Sequence, residues 1–397
     1  MKDKEFIPFA VPDITEEDIT AVVSALRSGW LTTGPNSAAF ENEFSEFLGG
    51  GNLQAVAVNS ATAGLHLAVD AIGIEPGDEV LVPAWTFTAT AEVVRYMGAT
   101  PVFVDVDPHT LNINLEAAAS KVTDRTRAII PVHFAGLPIP RVALSNFANR
   151  FDLKIIEDAA HAFPVVEDGQ YIGSGESAAT VFSFYATKTI TTGEGGMLVT
   201  RDPDIAARAR TMRLHGISRD VFDRYTSRSP SWEYSVVAPG FKYNLTDTAA
   251  AMGRVQLTRA EDMRAARQRI ARVYDEAFQD LPLATPAQSD TPAGHAYHLY
   301  VLRVDDSSPL ERDELIQRLA DVGIGTSVHF IPLHRHPYWR DTFSLKDQDF
   351  PVSSDLINRV VSLPIFPTMT DSQIQRVVDS VRGIFGRSKL TANLLRA

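Results

Sequence analysis

Residues 181–200 read V-F-S-F-Y-A-T-K-T-I-T-T-G-E-G-G-M-L-V-T. An apolar run of strand length ends at Ser183 and Phe184 and delivers Lys188 just beyond it. The turn Gly193-Glu194-Gly195-Gly196 then leads back into a second apolar strand. A lysine between a buried strand and a glycine-rich turn is oddly placed for the solvated role that most lysines have. Thirty residues upstream of Lys188, K-I-I-E-D-A-A-H sets Asp158 at the end of another apolar strand. A lysine and a buried carboxylate on neighbouring strand ends are the pair that pyridoxal phosphate chemistry uses. The lysine forms the imine, and the carboxylate keeps the ring nitrogen protonated so that the ring can accept electrons.

Outward from that stretch, short apolar runs alternate with helical periodicity. Strands are expected at 55–58, 79–82, 100–105, 128–133, 154–158, 181–184 and 197–200, with helices at 61–71 and 88–96 between them. Fully apolar strands separated by helices predict an α/β fold with a mostly parallel sheet covered on both faces. Such sheets bind ligands at the carboxyl ends of their strands. Ahead of the first strand, 12–28 reads as a helix capped by Thr15, followed by a loop at 29–35 and an amphipathic helix at 37–48. After residue 248 the pattern changes. A long helical stretch at 249–281 precedes a proline-containing linker, a strand pair near 297–304, and helices at 312–322 and 371–385. We therefore expect a large domain over 1–248 and a smaller α+β domain over 249–397, with a frayed tail at 388–397.

The bulk numbers narrow the function. With 397 residues, 45% hydrophobic and 22% charged, the chain is long enough for two ordinary globular domains. A net charge of −12 argues against a nucleic-acid surface and against an anionic membrane. No cysteine is present, which removes disulfides, thiol catalysis and thiolate metal sites. No stretch approaches the roughly 20 apolar residues of a membrane span, and the N-terminus lacks an apolar signal core, so a cytoplasmic protein is expected.

Several segments join the candidate site. N-S-A-T-A-G, from Asn59 through Ser60, Ala61 and Thr62, runs from a strand into a helix. Its small residues would let a phosphate approach the N–H groups of the helix start, although an ordinary helix cap reads the same way. Ser183 offers a second hydroxyl, or simply a small packing residue. Phe87, in P-A-W-T-F-T, is the first choice for stacking on a planar ring and Trp85 the second, against core packing for both. Asp158 also suits a helix cap, and His161 is poised evenly between a cofactor contact and a satisfied buried histidine. V-H-F-I-P-L-H-R-H carries three histidines, but its proline makes it a loop, so anion recognition by this loop and Arg335 fits better than a metal site, and no metal is expected. The glycine turn leads into a strand and not a helix, which disfavours a dinucleotide site.

These residues together resemble the DegT/DnrJ/EryC1/StrS sugar aminotransferases, within pyridoxal phosphate fold type I. The likeness spans G-W-L-T-T-G-P, S-A-T-A-G-L-H-L-A, G-D-E-V-L-V-P-A-W-T-F-T, I-I-E-D-A-A-H-A, F-S-F-Y-A-T-K, G-E-G-G-M-L, G-F-K-Y-N-L-T-D and V-H-F-I-P-L-H, nearly the whole chain. The resemblance implies a large domain with a seven-stranded, mostly parallel sheet. It implies Lys188 as the cofactor lysine and proton shuttle, Asp158 on the ring nitrogen, His161 near the ring, Phe87 stacked, and Ser60, Ala61, Thr62 and Ser183 at the phosphate. It implies pyridoxamine phosphate as the intermediate cofactor form and a homodimer with shared active sites, in which Asn244 or Lys242 of the second subunit reaches the phosphate. His329 and Phe330 fall where relatives contact the sugar.

The implied reaction moves an amino group from L-glutamate to a nucleotide-linked keto-deoxyhexose, most simply a 4-keto-6-deoxy sugar. A 3-keto sugar, a cyclitol, or a pyridoxal-phosphate-binding role without turnover are the alternatives. Relatives that dehydrate lack the lysine, which is present here. A polar and basic stretch at 215–237, with Arg219, Arg224, Arg228 and Trp232, reads as a lid over the nucleotide or as a plain surface loop.

Overall fold

The computed structural model describes residues 6–217, 234–291 and 293–386. The expected tail at 388–397, together with Arg219, Arg224, Arg228 and Trp232 of the expected lid, lies outside the described residues.

Seven strands form the main sheet: β1 (Gln54–Val58), β2 (Glu79–Pro83), β3 (Thr100–Val104), β4 (Thr126–Ile129), β5 (Lys154–Asp158), β6 (Ala179–Ser183) and β7 (Gly196–Thr200). Their spatial order is β1-β7-β6-β5-β4-β2-β3. Every neighbouring pair is parallel except those made by β7, which runs against both β1 and β6. The glycine turn after Lys188 is what reverses the chain into β7.

Successive residues of each strand point to opposite faces, and here both faces are apolar. Val80 and Val82 of β2, Ile156 of β5 and Val181 of β6 pack into a core with Leu65 and Leu67 of the Ala61–Ala71 helix. Leu81 and Ile155 face a second core with Leu144 and Phe147, on the Arg141–Phe151 helix. Phe182, Met197 and Val199 face a third, built around Phe40 and Phe44 of the Pro35–Phe47 helix. This sandwich of helices around a central sheet is the expected α/β architecture.

A smaller antiparallel sheet follows, β8 (Leu283–Ala284), β9 (Tyr300–Val304) and β10 (Val360–Leu363), with β9 in the centre. The expected strand pair is thus three strands. Its partners lie far from residues 297–304, and β8 is two residues long, too short to leave a periodic signal. The helical stretch at 249–281 is also two helices, Asp247–Thr258 and Ala260–Phe278, broken at Arg259 with φ −108° and ψ 5°. Ala250, Leu257 and Met263 pack with Phe40 and Phe44, whereas Ile270, Tyr274 and Phe278 pack with Tyr300 and Leu302 of the small sheet. Sequence periodicity runs unbroken across Arg259 because both helices are amphipathic. Among the described residues no helix is long and apolar enough to cross a membrane.

Candidate active site

The site is assembled where β1, β5 and β6 end and β7 begins. In the register, Gly196 of β7 faces both Val58 of β1 and Ser183 of β6, so these three strand ends are level. The Ala61–Ala71 helix starts just beyond β1. Its cap is Ser60, whose Oγ accepts the Ala63 N–H at 3.1 Å. Ala61 and Thr62 follow, half-buried, in the first turn, where unpaired N–H groups and the helix dipole favour an anion. A Cβ at Gly196 would lie 2.8 Å from the Ala61 nitrogen and from the Ser60 carbonyl carbon, so the absence of a side chain there keeps the helix start against the sheet. Ser60, Ala61, Thr62 and Ser183 therefore ring one helix N-terminus at one sheet edge, a fit for the cofactor's phosphate.

Asp158, at the end of β5, is buried at 6% exposure. The Thr90 hydroxyl donates to its Oδ2 at 2.9 Å, and the Ala160 N–H donates to Oδ1 at 3.1 Å. Thr90 in turn shares a 2.9 Å hydrogen bond with the Thr86 hydroxyl. Burial pushes the Asp158 carboxyl up, against the pull of those two donors and of Lys188. A cationic ring nitrogen opposite this carboxylate would add to that pull and hold the carboxylate ionised.

Lys188 is half-buried, and desolvation pushes its amine down to about 8, with Asp158 opposing that shift and the Arg267 guanidinium adding to it. Its Nζ lies 3.2 Å from Nε2 of His298. His298 lies 4.4 Å from His161 with the rings tilted by 42°, and His161 stacks on the Phe330 ring at 5.8 Å with an interplanar angle of 23°. The Ala135 N–H donates to His161 Nδ1 at 3.3 Å, which places the His161 proton on Nε2. Burial and the nearby Lys188 hold His161 and His298 well below the usual histidine range, and push His329 down to about 4. The cluster is thus a set of neutral imidazoles around a weakly basic amine.

Phe330 and Phe87 approach at 6.2 Å, and Phe87 is 60% exposed, so a flat aromatic face stands beside the lysine cluster. Trp85 is fully buried against Phe134 and offers no such face. His329 shares a 2.9 Å hydrogen bond with Ser362 Oγ and stacks on Phe9 at 5.3 Å. His334 packs on Phe350, and Arg335 pairs with Asp347 at 3.1 Å. Asn244 is buried, bridged to Val58, and its amide donates to Thr33 Oγ1 at 2.7 Å. Lys242 is exposed, and its carbonyl accepts from Asn59 at 3.2 Å. Among the described residues no group of three potential ligands gathers as a metal site.

Sequence reasoning missed Thr90, Arg267 and His298. Thr90 has a faint signal, a hydroxyl residue in the segment after β2. Arg267 and His298 have none, because each belongs to the second half of the chain and meets Lys188 only through folding.

A lysine, a buried carboxylate, a phosphate-sized helix start and an exposed aromatic face at one sheet edge define a pyridoxal-phosphate-dependent aminotransferase of fold type I. The particular family follows from comparison. The profile of the DegT/DnrJ/EryC1/StrS aminotransferase family matches residues 12–382, and the chain belongs to that family. It is 46% identical over 387 residues to the spore coat polysaccharide biosynthesis protein SpsC of Bacillus subtilis, covering 96% of this chain and 98% of that one. Spr1654 of Streptococcus pneumoniae, assigned as a sugar aminotransferase, superposes in its pyridoxamine phosphate form with a TM-score of 0.88 at 32% identity, covering 96% and 99% of the two chains. The same protein has also been solved in its pyridoxal phosphate form. Helicobacter pylori PseC, an aminotransferase of pseudoaminic acid biosynthesis, superposes with a TM-score of 0.88 at 28% identity over 96% of this chain and all of its own. The cofactor is pyridoxal phosphate, with pyridoxamine phosphate as its intermediate form.

Proposed function

We propose that the chain transfers an amino group from L-glutamate to a nucleotide-linked keto-deoxyhexose, a 4-keto-6-deoxy sugar before a 3-keto sugar or a cyclitol. The observation that carries this reading is Lys188, with its Nζ 3.2 Å from His298 Nε2, near the buried, Thr90-bonded Asp158 at the strand ends. The biosynthetic roles named for SpsC, in spore coat polysaccharide, and for PseC, in pseudoaminic acid, support a sugar as the acceptor.

In this reading Ser60, Ala61, Thr62 and Ser183 hold the cofactor phosphate, Phe87 covers one ring face and Asp158 pairs with the ring nitrogen. The bound cofactor supplies the electron sink that makes the substrate carbon acidic. Lys188, made less basic by desolvation, binds the cofactor and then moves the proton between the two carbons. The Nε2–H of His161 donates toward the ring. His329, fixed by Ser362, orients the sugar together with Phe330, and Trp232, outside the described residues, is a further candidate for sugar contact. A homodimer completes the site, with Lys242 reaching the partner's phosphate. The exposure of Lys242 and the engagement of Asn244 with Thr33 support that choice.

The test is a visible spectrum of the purified protein with pyridoxal phosphate, before and after L-glutamate, beside Lys188→Ala. The lysine-bound band should bleach with release of 2-oxoglutarate in the wild type only. The aminated enzyme, offered a panel of nucleotide keto-sugars and cyclitols, should then yield an amino sugar by mass spectrometry. Amination of a cyclitol alone would move the acceptor. No band in the wild type would remove Lys188 from its role.

A further inference from the structure

Three histidines, one lysine, one buried arginine and one carboxylate share a single buried volume. Six ionisable groups cannot all be charged there, and the pattern of hydrogen bonds says which are not. His298 Nε2 lies 3.2 Å from Lys188 Nζ, while His298 Nδ1 is buried with no partner. A buried lone pair without a donor costs less than a buried N–H without an acceptor. The proton of His298 therefore sits on Nε2 and points at Lys188. An ammonium has no lone pair to receive it; a neutral amine does.

The spacing is fixed from behind by Arg267. This guanidinium is 2% exposed, and among the described residues its nitrogens reach only backbone carbonyls: Ile365 at 2.6 Å, and Thr187 and His298 each at 3.5 Å. Thr187 directly precedes Lys188. One buried cation thus ties the lysine loop to the His298 backbone and, being uncompensated by a carboxylate, opposes a second positive charge beside it.

We propose that His298 is a positioning residue that favours the free-amine form of Lys188 by donating its Nε2–H to Nζ, with Arg267 clamping the two segments at that distance. This rests on the reading of Lys188 as the cofactor lysine, since only the neutral amine attacks a carbonyl carbon or takes up a proton. The charged and titratable groups facing Lys188 are Asp158, which favours its protonation, and Arg267, His161, His298 and His329. Of these, His298 is the one within hydrogen-bond distance of Nζ among the described residues.

The experiment titrates Lys188 in the full-length protein before any cofactor is added. Brief acetylation across a pH series, with the Lys188 peptide quantified by mass spectrometry, gives the midpoint of its reactivity. The wild type is expected near 8. His298→Phe keeps the site filled and dry but removes the donor, so the midpoint should rise by about half to one pH unit, the effect of one hydrogen bond. His298→Gln retains an N–H donor and should return it toward the wild-type value. A midpoint in His298→Phe that is unchanged or lower would overturn the proposal, because burial alone would then account for the weakly basic amine. Failure of the underlying reading is separate: Lys188→Ala would still form the lysine-bound cofactor band.

Discussion

At the scale of single residues, the chemistry depends on how charges are held. Asp158 is an example: a strand-end aspartate is visible in I-I-E-D-A-A-H, but its ionisation is set by burial, which raises its pKa, and by the opposing Thr90 hydroxyl, 68 positions away. Thr90→Val keeps the shape of a fully buried side chain and deletes the donor. The Asp158 carboxyl should then move further up, and the half-reaction with L-glutamate should slow by about tenfold, the equivalent of about 1.4 kcal/mol. Stopped-flow loss of the lysine-bound band measures it, and a wild-type rate in Thr90→Val would show that the Ala160 N–H and Lys188 suffice. Lys188 and Asp158 were legible from position and residue type. Thr90 and His298 were not, because a hydrogen bond between distant positions leaves no local pattern.

At the scale of elements, the phosphate-binding edge is a helix start pinned against a strand. The pin is Gly196, since a methyl group there would meet backbone atoms of Ser60, Ala61 and Phe182 at 2.8 Å. Gly196→Ala should push the helix start off the sheet, cost about 1–3 kcal/mol, and weaken pyridoxal phosphate binding by at least about tenfold. Gly193→Ala is the control. Gly193 has φ +81° and open space around it, so alanine there should cost about 1 kcal/mol of backbone strain and leave cofactor affinity alone. Titration of the visible band separates the two, and equal affinities would remove Gly196 from the phosphate site. The elements themselves were readable. The seven strands of the main sheet and the capped helices at Thr15 and Ser60 follow from apolar runs and cap residues, except that the strand expected at 128–133 lies at Thr126–Ile129, its apolar run continuing beyond the strand end. The helices Arg141–Phe151 and Pro203–Met212 were not read, and β8 and β10 carry too little periodicity to be found.

At the scale of the whole molecule, the amino-terminal helix Glu16–Ser28 is locked to the Asp247–Thr258 helix and the residue that follows it. Asp18 is 1% exposed, and its Oδ2 accepts from Thr15 N at 2.8 Å, Gln256 Nε2 at 2.9 Å and Arg259 at 2.7 Å. Asp18→Ala should destabilise the protein by about 2–3 kcal/mol, since it strands buried donors while Arg259 keeps Asp13. Chemical denaturation reads this, and a midpoint equal to wild type would show that the apolar contacts of the helix suffice. The side chain of Arg259, the residue at the helix break that sequence periodicity ran through, belongs to this tie.

The sequence by itself determined the layered α/β fold, the strand ends that carry Lys188 and Asp158, the helix start at Ser60 and the family. Alternation of apolar residues, capping side chains and glycine turns act over a few positions and are written along the chain. Tertiary structure alone decided that His298 and Arg267 stand beside Lys188, that Asn244 is spent on Thr33 while Lys242 is exposed, and that desolvation lowers the pKa of the lysine amine. Burial and electrostatics depend on which distant segments close around a group, and that is settled only when the small sheet docks on the large one.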